Sequence, residues 1–383
     1  MTADAGPQGG WRAWTPIGVH AFSVQAVGFS LRPAVAYAAL DAGVAPALLG
    51  ALSASYALAP LFLALPVGRA VDRFGERPPL IVGGVLMATS CVVLLAGSTH
   101  APSLIIGLML AGVSHLLCVI GEQTAVAQMS SGSSDSRFGS YTLAGSFGQA
   151  IGPLFLGLGD GTPFRPGPVL VASLILSGLI LLTSVFIGGR NAKTDERTAG
   201  VASSLLRDKR IRSANIVSGI VMAAVDITLI YLPALGREVG LSAAFIGGVL
   251  ALRAVSSMAV RGVTGRAVRR LGRRTVLVTG IGSAAAALVA LSIWPQPVVL
   301  LIAAVVLGAG LGVGQPVTMA MVADLAPSGQ RGTAMTLRLM GNRLGVVVLP
   351  VSVGAVAAGA GAGGVLAATA ALLCASCVVS ARR

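Results

Sequence analysis

The chain has 383 residues, 55% of them hydrophobic and only 10% charged, with a net charge of +14 and a mean hydropathy of +0.87. An ordinary soluble domain is about 25% charged, so this composition points to lipid as the solvent and leaves almost no chain for a soluble domain. The charge does not mark a nucleic-acid binder: a basic binding face is contiguous and rich in lysine, whereas Lys193 and Lys209 are the only lysines and the arginines sit in short clusters between apolar runs.

A helix that crosses a bilayer needs about 20 mostly apolar residues. Twelve runs qualify, at 16–40, 44–67, 79–98, 102–127, 140–159, 167–188, 213–235, 243–261, 275–294, 297–322, 333–358 and 364–380. The first is too long for a signal-peptide core and only Arg12 precedes it, so it is expected to remain as the first helix. It carries Arg32, Pro33 and Tyr37.

Between the second and third runs stands GRAVDRFGERPPL (68–80). Gly68 and Gly75 suit a tight turn, and Arg73 and Arg77 supply charges that hold the loop on one side. Asp72 is placed to act as a switch, since a carboxylate near a helix N-terminus is stabilised there and can change partners. The fourth run, LMLAGVSHLLCVIGEQTAVA, contains His115 and Glu122. The fifth reads FGSYTLAGSFGQAIGPLFLG; its Gly139, Gly148, Gly152 and Gly157 allow close helix packing and Pro153 allows a bend.

The longest polar stretch, GGRNAKTDERTAGVASSLLRDKRIRS (188–213), parts six runs from six. The expected organisation is an N-terminal six-helix bundle over 1–188, a cytoplasmic linker over 189–212 and a C-terminal six-helix bundle over 213–383. In the second half Asp226 falls in the seventh run, Arg253 in the eighth, and Arg338, Asn342 and Arg343 in the eleventh. Here GRAVRRLGRRTVL (265–277) repeats the first phrase at an offset of 197, with eight of thirteen positions identical. The same phrase in the same slot of each half predicts an all-α membrane protein built from two six-helix repeats, a transporter architecture.

Lysine and arginine concentrate on the cytoplasmic side. Of the 27 basic residues, Arg165 and Arg237 fall outside, Arg32, Arg253, Arg338 and Arg343 fall within the membrane, and the remaining 21 share the side of the termini. Both termini are therefore expected in the cytoplasm, with the protein in the inner (plasma) membrane. Cys91, Cys118, Cys374 and Cys377 all lie in predicted helices and read as small apolar fillers.

GRAVDRFGERPPL resembles the loop motif between the second and third helices of the major facilitator superfamily, with Gly68, Asp72, Arg73, Gly75 and Arg77 in the motif's places. The resemblance implies that family's fold, and a latch role for the aspartate on the cytoplasmic side of the outward-open state. Glu76 stands where the family usually has a base. Arg269 replaces the aspartate in the second copy, so Asp324 is expected to partner Arg266, Arg270 or Arg273 there. The fifth run, notably Gly148, Gly152 and Pro153, resembles the glycine-proline motif of the family's proton-coupled antiporters, with Leu156 at a position usually held by glycine. In the family's fold helices 1, 4, 7 and 10 line the central cavity, so Arg32, Glu122 and Asp226 are expected to face it. The family's usual helix-4 arginine is absent.

Charges near the bilayer centre are costly and need a reason. Glu122 and Asp226 are the expected proton carriers, because a desolvated carboxylate is suited to that work. Asp226 and Arg253 read either as a compensating pair or as a substrate or proton site; His115 reads as a titrating group or a hydrogen-bonding filler. Arg338 and Asn342 share a helical face, Arg343 is rotated about 100° from it, and Arg338 can snorkel. Pro33, Tyr37 and Tyr231 are expected in the cavity wall. Intramembrane arginines outnumber deep carboxylates, which hints at an anionic group on the substrate. There is no GxxxxGK[ST] stretch, no HExxH and no serine elbow, and no cofactor is expected. The expected function is secondary active transport by alternating access: a monomer in the bilayer, with protons as coupling ion, expelling a small amphipathic organic compound. The alternative is a symporter or facilitator that imports a sugar or organic acid.

Overall fold

The computed structural model describes residues 8–129, 134–188, 205, 207–327 and 331–381. All regular structure among them is helical, as expected where lipid cannot satisfy backbone polar groups. The first half consists of α1 (Gln8–Asp41), α2 (Leu49–Phe74), α3 (Arg77–Gly97), α4 (Ala101–Gln128), α5 (Ser134–Ile151) and α6 (Pro166–Phe186). The second consists of α7 (Lys209–Glu238), α8 (Ala243–Leu271), α9 (Arg273–Ile293), α10 (Pro297–Leu325) and a last stretch, Arg331–Ala381, broken at Gly361 (φ 62). Its two arms, α11 and α12, have the apolar spans Ala334–Val356 and Gly359–Val378.

Local chemistry sets the ends. Proline occupies the first turn of α3, α4, α6 and α10, where a missing N–H costs nothing. The Asp208 carboxylate accepts from the backbone N–H of Arg210 at 2.7 Å and so starts α7, inside the stretch expected as linker. Residues 189–204 and 206 of that stretch lie outside the described residues. At Gly152–Pro153 α5 gives way to a 3-10 segment, Gly152–Gly159.

The repeated phrase corrects one expectation. Gly68 lies inside α2, with open space around it, and takes no part in a turn. The chain turns only at Gly75 (φ 80), and at the matching Gly272 (φ 81) after α8. The helices simply run past the apolar run, so the basic phrase is mostly helix rather than loop.

Helix pairing repeats between the halves. The pairs α1–α5, α2–α4, α3–α4 and α3–α6 of the first half recur as α7–α11, α8–α10, α9–α10 and α9–α12. Ten spans are long and apolar enough to cross a membrane, and large apolar side chains such as Phe62, Ile175 and Val298 face outward, as a lipid-facing surface requires. α1 and α5 fall short of that apolarity. They pack on each other and put Gln25, Arg32, Tyr141 and Gln149 on the cavity described next. The protein is thus a multi-pass membrane protein.

Candidate functional site

A cavity of about 270 Å³ lies between the two halves. On α1 it is lined by Ala21, Gln25, Phe29 and Arg32, residues at helical spacing along one face. α4 adds His115, Val119 and Gln123; α5 adds Tyr141 and Gln149; α7 adds Asp226; α8 adds Arg261; α11 adds Asn342 and Arg343. Ala21, Gln123, Tyr141 and Leu339 lie toward the ends of their helices that adjoin the repeated phrases, and Arg32 lies deepest. The cavity therefore opens on the phrase side.

At its deep end the Arg32 guanidinium donates to Asp226 Oδ1 at 2.5 Å and to the Gly28 carbonyl at 2.9 Å. It also sits 4.7 Å above both the Phe29 and the Tyr56 rings, a cation–π arrangement. Asp226 thus pairs with Arg32 across the halves and not with Arg253. Arg253 is buried on α8 and does not line the cavity, and its Nε has no hydrogen-bond partner. His115 is hydrogen-bonded to Tyr56 Oη at 2.5 Å and to Gln25 at 3.3 Å; it takes no part in binding Glu122.

Glu122 does not face the cavity. It is fully buried, 2.6 Å from His20 Nδ1, and accepts from the Tyr141 hydroxyl at 2.9 Å. His20 Nε2 in turn lies 3.1 Å from Ser184 Oγ. Four helices thus meet in this network, and Tyr141 touches both the carboxylate and the cavity. Sequence reasoning missed His20, Tyr141 and Arg261; a histidine inside the first apolar run was the available signal for His20.

Three further expectations are corrected. Tyr37 is not a cavity wall: it is buried on the opposite side, stacked on Phe164 with ring centroids 5.0 Å apart. Tyr231 donates to the Pro46 carbonyl at 3.3 Å on that side too, and neither it nor Pro33 lines the cavity. Arg338 does not snorkel; it binds Gln315 Oε1 at 2.5 Å and Thr318 Oγ1 at 3.3 Å, tying α11 to α10, while Asn342 and Arg343 reach the cavity without it.

The side opposite the phrases is sealed by contacts between the halves. Arg237 pairs with Asp41 at 2.7 Å, whose other oxygen accepts from the Phe164 backbone N–H at 2.8 Å. Asp160 accepts from the Ala243 N–H at 2.8 Å and so ties the start of α8, whose N-cap is Ser242, to the other half. Helix 2 meets α11 closely because Gly50 lies against the Pro350 carbonyl, and α8 meets the 3-10 segment because Gly247 lies against that of Pro153. Gly148 and Gly152 pack on the α1 backbone at Phe22 and Ala26, the close approach expected of small residues.

On the phrase side, Arg77 donates to the Val185 carbonyl. Asp324 pairs with Arg273 at 2.6 Å, which selects that arginine over Arg270. Asp72 and Arg73 are exposed at the end of α2.

Two repeated six-helix halves around a charged cavity, open to one side and sealed on the other, define a membrane transporter. The profile of the Major Facilitator Superfamily matches residues 18–225 and 214–382, and the chain belongs to that family. It is 26% identical over 298 residues to the class C tetracycline resistance protein of Escherichia coli, covering 74% of this chain and 73% of that protein. Among solved structures it is similar to the nucleoside transporter NupG, with a TM-score of 0.81 at 14% identity over 97% of this chain and 98% of that one. The D-xylose-proton symporter matches with a TM-score of 0.74 at 14% identity, over 96% and 97% of the two chains.

Proposed function

We propose that the protein exports a small amphipathic organic compound from the cytoplasm in exchange for protons, acting as a monomer in the inner membrane with both termini inside. The observation that carries this reading is the charged cavity between the halves, reached from the phrase side and sealed opposite by Asp41–Arg237 and Asp160. With the basic phrases in the cytoplasm, that arrangement is an inward-open state ready to load from the cytosol. The similarity to a tetracycline resistance protein supports export, since removing a drug produces resistance. The Gly148–Gly152–Pro153 segment supports proton exchange through its family resemblance.

Transport proceeds by rocking of the halves, taken as 1–188 and 213–383, about the cavity. As the phrase side closes, Asp72 latches it with neighbouring arginines, and the opposite seal opens to release substrate. A proton then enters from outside to Glu122, weakening its pair with His20. Tyr141, in contact with both Glu122 and the cavity, is the exit toward the cytoplasm once the halves return. Protonation of Asp226 releases Arg32 and frees the halves to part at the deep end.

The test is proton movement in proteoliposomes holding a trapped pH dye, with an imposed gradient and a panel of amphipathic compounds. Compound-dependent proton flow opposite to compound flow, lost in Glu122→Gln, is the expected result. Flow in the same direction would establish uptake by symport instead.

A further inference from the structure

The charges of the cavity do not cancel. Arg32, Arg261 and Arg343 line it against one carboxylate, Asp226, so three positive charges less one negative leave a surplus of two. Asp226 is held by Arg32. Arg261 makes one hydrogen bond, at 3.4 Å to the Ser146 hydroxyl, and its buried Nε has no acceptor. Arg343 makes no hydrogen bond or ion pair among the described residues. Elsewhere Arg338 has Gln315 and Thr318 as acceptors and Arg237 has Asp41, whereas the buried Arg253, which does not line the cavity, has an Nε without a partner. Arg343, with no acceptor among the described residues, and Arg261, with one long hydrogen bond, stand in the cavity wall itself, where an entering anion reaches them.

A guanidinium presents a planar fork of donors that fits a carboxylate through two parallel hydrogen bonds. Beside the arginines the wall offers amides at Gln25, Gln149 and Asn342, and apolar surface at Phe29, Met222 and Val346. The volume, about 270 Å³, is small for a ligand pocket, which fits a body of one or two rings.

We propose that the cavity binds a small organic monoanion, a carboxylate on an aromatic or apolar body, with Arg343 and Arg261 taking the anionic group and the amides and apolar wall holding the rest. The inference rests on reading this cavity as the substrate site, but not on the direction of transport or on proton coupling. A lipophilic cation is rejected by the same surplus that attracts the anion. Export of one monoanion against one entering proton carries two positive charges inward, so an inside-negative potential accelerates it.

The test uses purified full-length protein in lipid nanodiscs, without any gradient, titrated calorimetrically with three probes of one shape: 1-naphthylacetate, 1-naphthylacetamide and 2-(1-naphthyl)ethylammonium. The acetate is expected to bind about tenfold or more tightly than the other two, the difference made by one well-placed charged hydrogen-bond pair. Arg343→Gln is expected to bring the acetate down to the affinity of the amide and to leave the amide unchanged, which also shows that the variant is folded; Arg343→Lys retains part of the preference. Equal affinities, a preference for the ammonium, no binding by any probe, or an acetate preference that survives both Arg343→Gln and Arg261→Gln overturns the proposal. Acetate binding without proton counterflow in liposomes would overturn proton exchange and leave the anion site standing.

Discussion

Arg32 and Asp226 lie 194 positions apart in the chain, and their side chains meet at 2.5 Å at the deep end of the cavity, joining the two halves where both are about 95% shielded from solvent. Removing one partner of such a pair leaves an uncompensated buried charge, typically a loss of about 3–5 kcal/mol, whereas removing both costs far less. We predict that Asp226→Asn and Arg32→Gln each lower the unfolding temperature clearly, and that the double variant recovers most of the loss. Thermal unfolding in detergent measures this, and a double variant as unstable as the two losses added together would sink the assignment.

Glu122 and His20 pose a separate test, because their network is shared with Tyr141 and Ser184 and not with the cavity charges. Glu122→Gln is predicted to abolish compound-driven proton flow while leaving binding of the compound within about threefold. Tyr141→Phe removes the link between Glu122 and the cavity and is predicted to slow proton flow without abolishing binding. Flux assays beside binding titrations separate the two effects; proton flow at the wild-type rate in Glu122→Gln would falsify the carrier role.

Asp160 accepts from the first N–H of α8 across the halves, beside the helix's own N-cap Ser242, and a lost hydrogen bond typically costs about 1 kcal/mol. Here that loss falls only on the state sealed opposite the phrases, so Asp160→Ala is expected to shift the population toward the other state by about fivefold. The readout is the labelling of Phe164→Cys by a membrane-impermeant maleimide, since Phe164 is buried in the seal. An unchanged labelling rate would mean that the Asp160 hydrogen bond does not bias the two states.

Asp72 is exposed at the phrase end of α2 in this arrangement, open on the phrase side, and its proposed work lies in the opposite state. Asp72→Asn is predicted to stop transport while expression, membrane insertion and thermal stability stay at wild-type levels. Wild-type transport by that variant would remove the latch.

How far the site was legible follows from the range over which each signal acts. The cavity residues Arg32, Asp226, Asn342 and Arg343 were found because a charged or amide side chain in an apolar run stands out by itself. Glu122 stood out for the same reason, yet its facing was misjudged: which side of a helix fronts the cavity depends on how α4 is turned against α1 and α5. Arg261 was missed because it closes an apolar run and reads as a flanking loop charge, whereas α8 continues as helix to Leu271.

The sequence by itself determined twelve helices and their division into two repeats. Those are consequences of local run length and of a backbone that must satisfy its own hydrogen bonds in lipid. Only the tertiary structure decided that Arg32 takes Asp226 and not Arg253, that Glu122 takes His20, and that Tyr37 belongs to the seal. These pairings join residues more than 100 positions apart, and a desolvated charge takes whichever partner helix packing brings within a few ångströms.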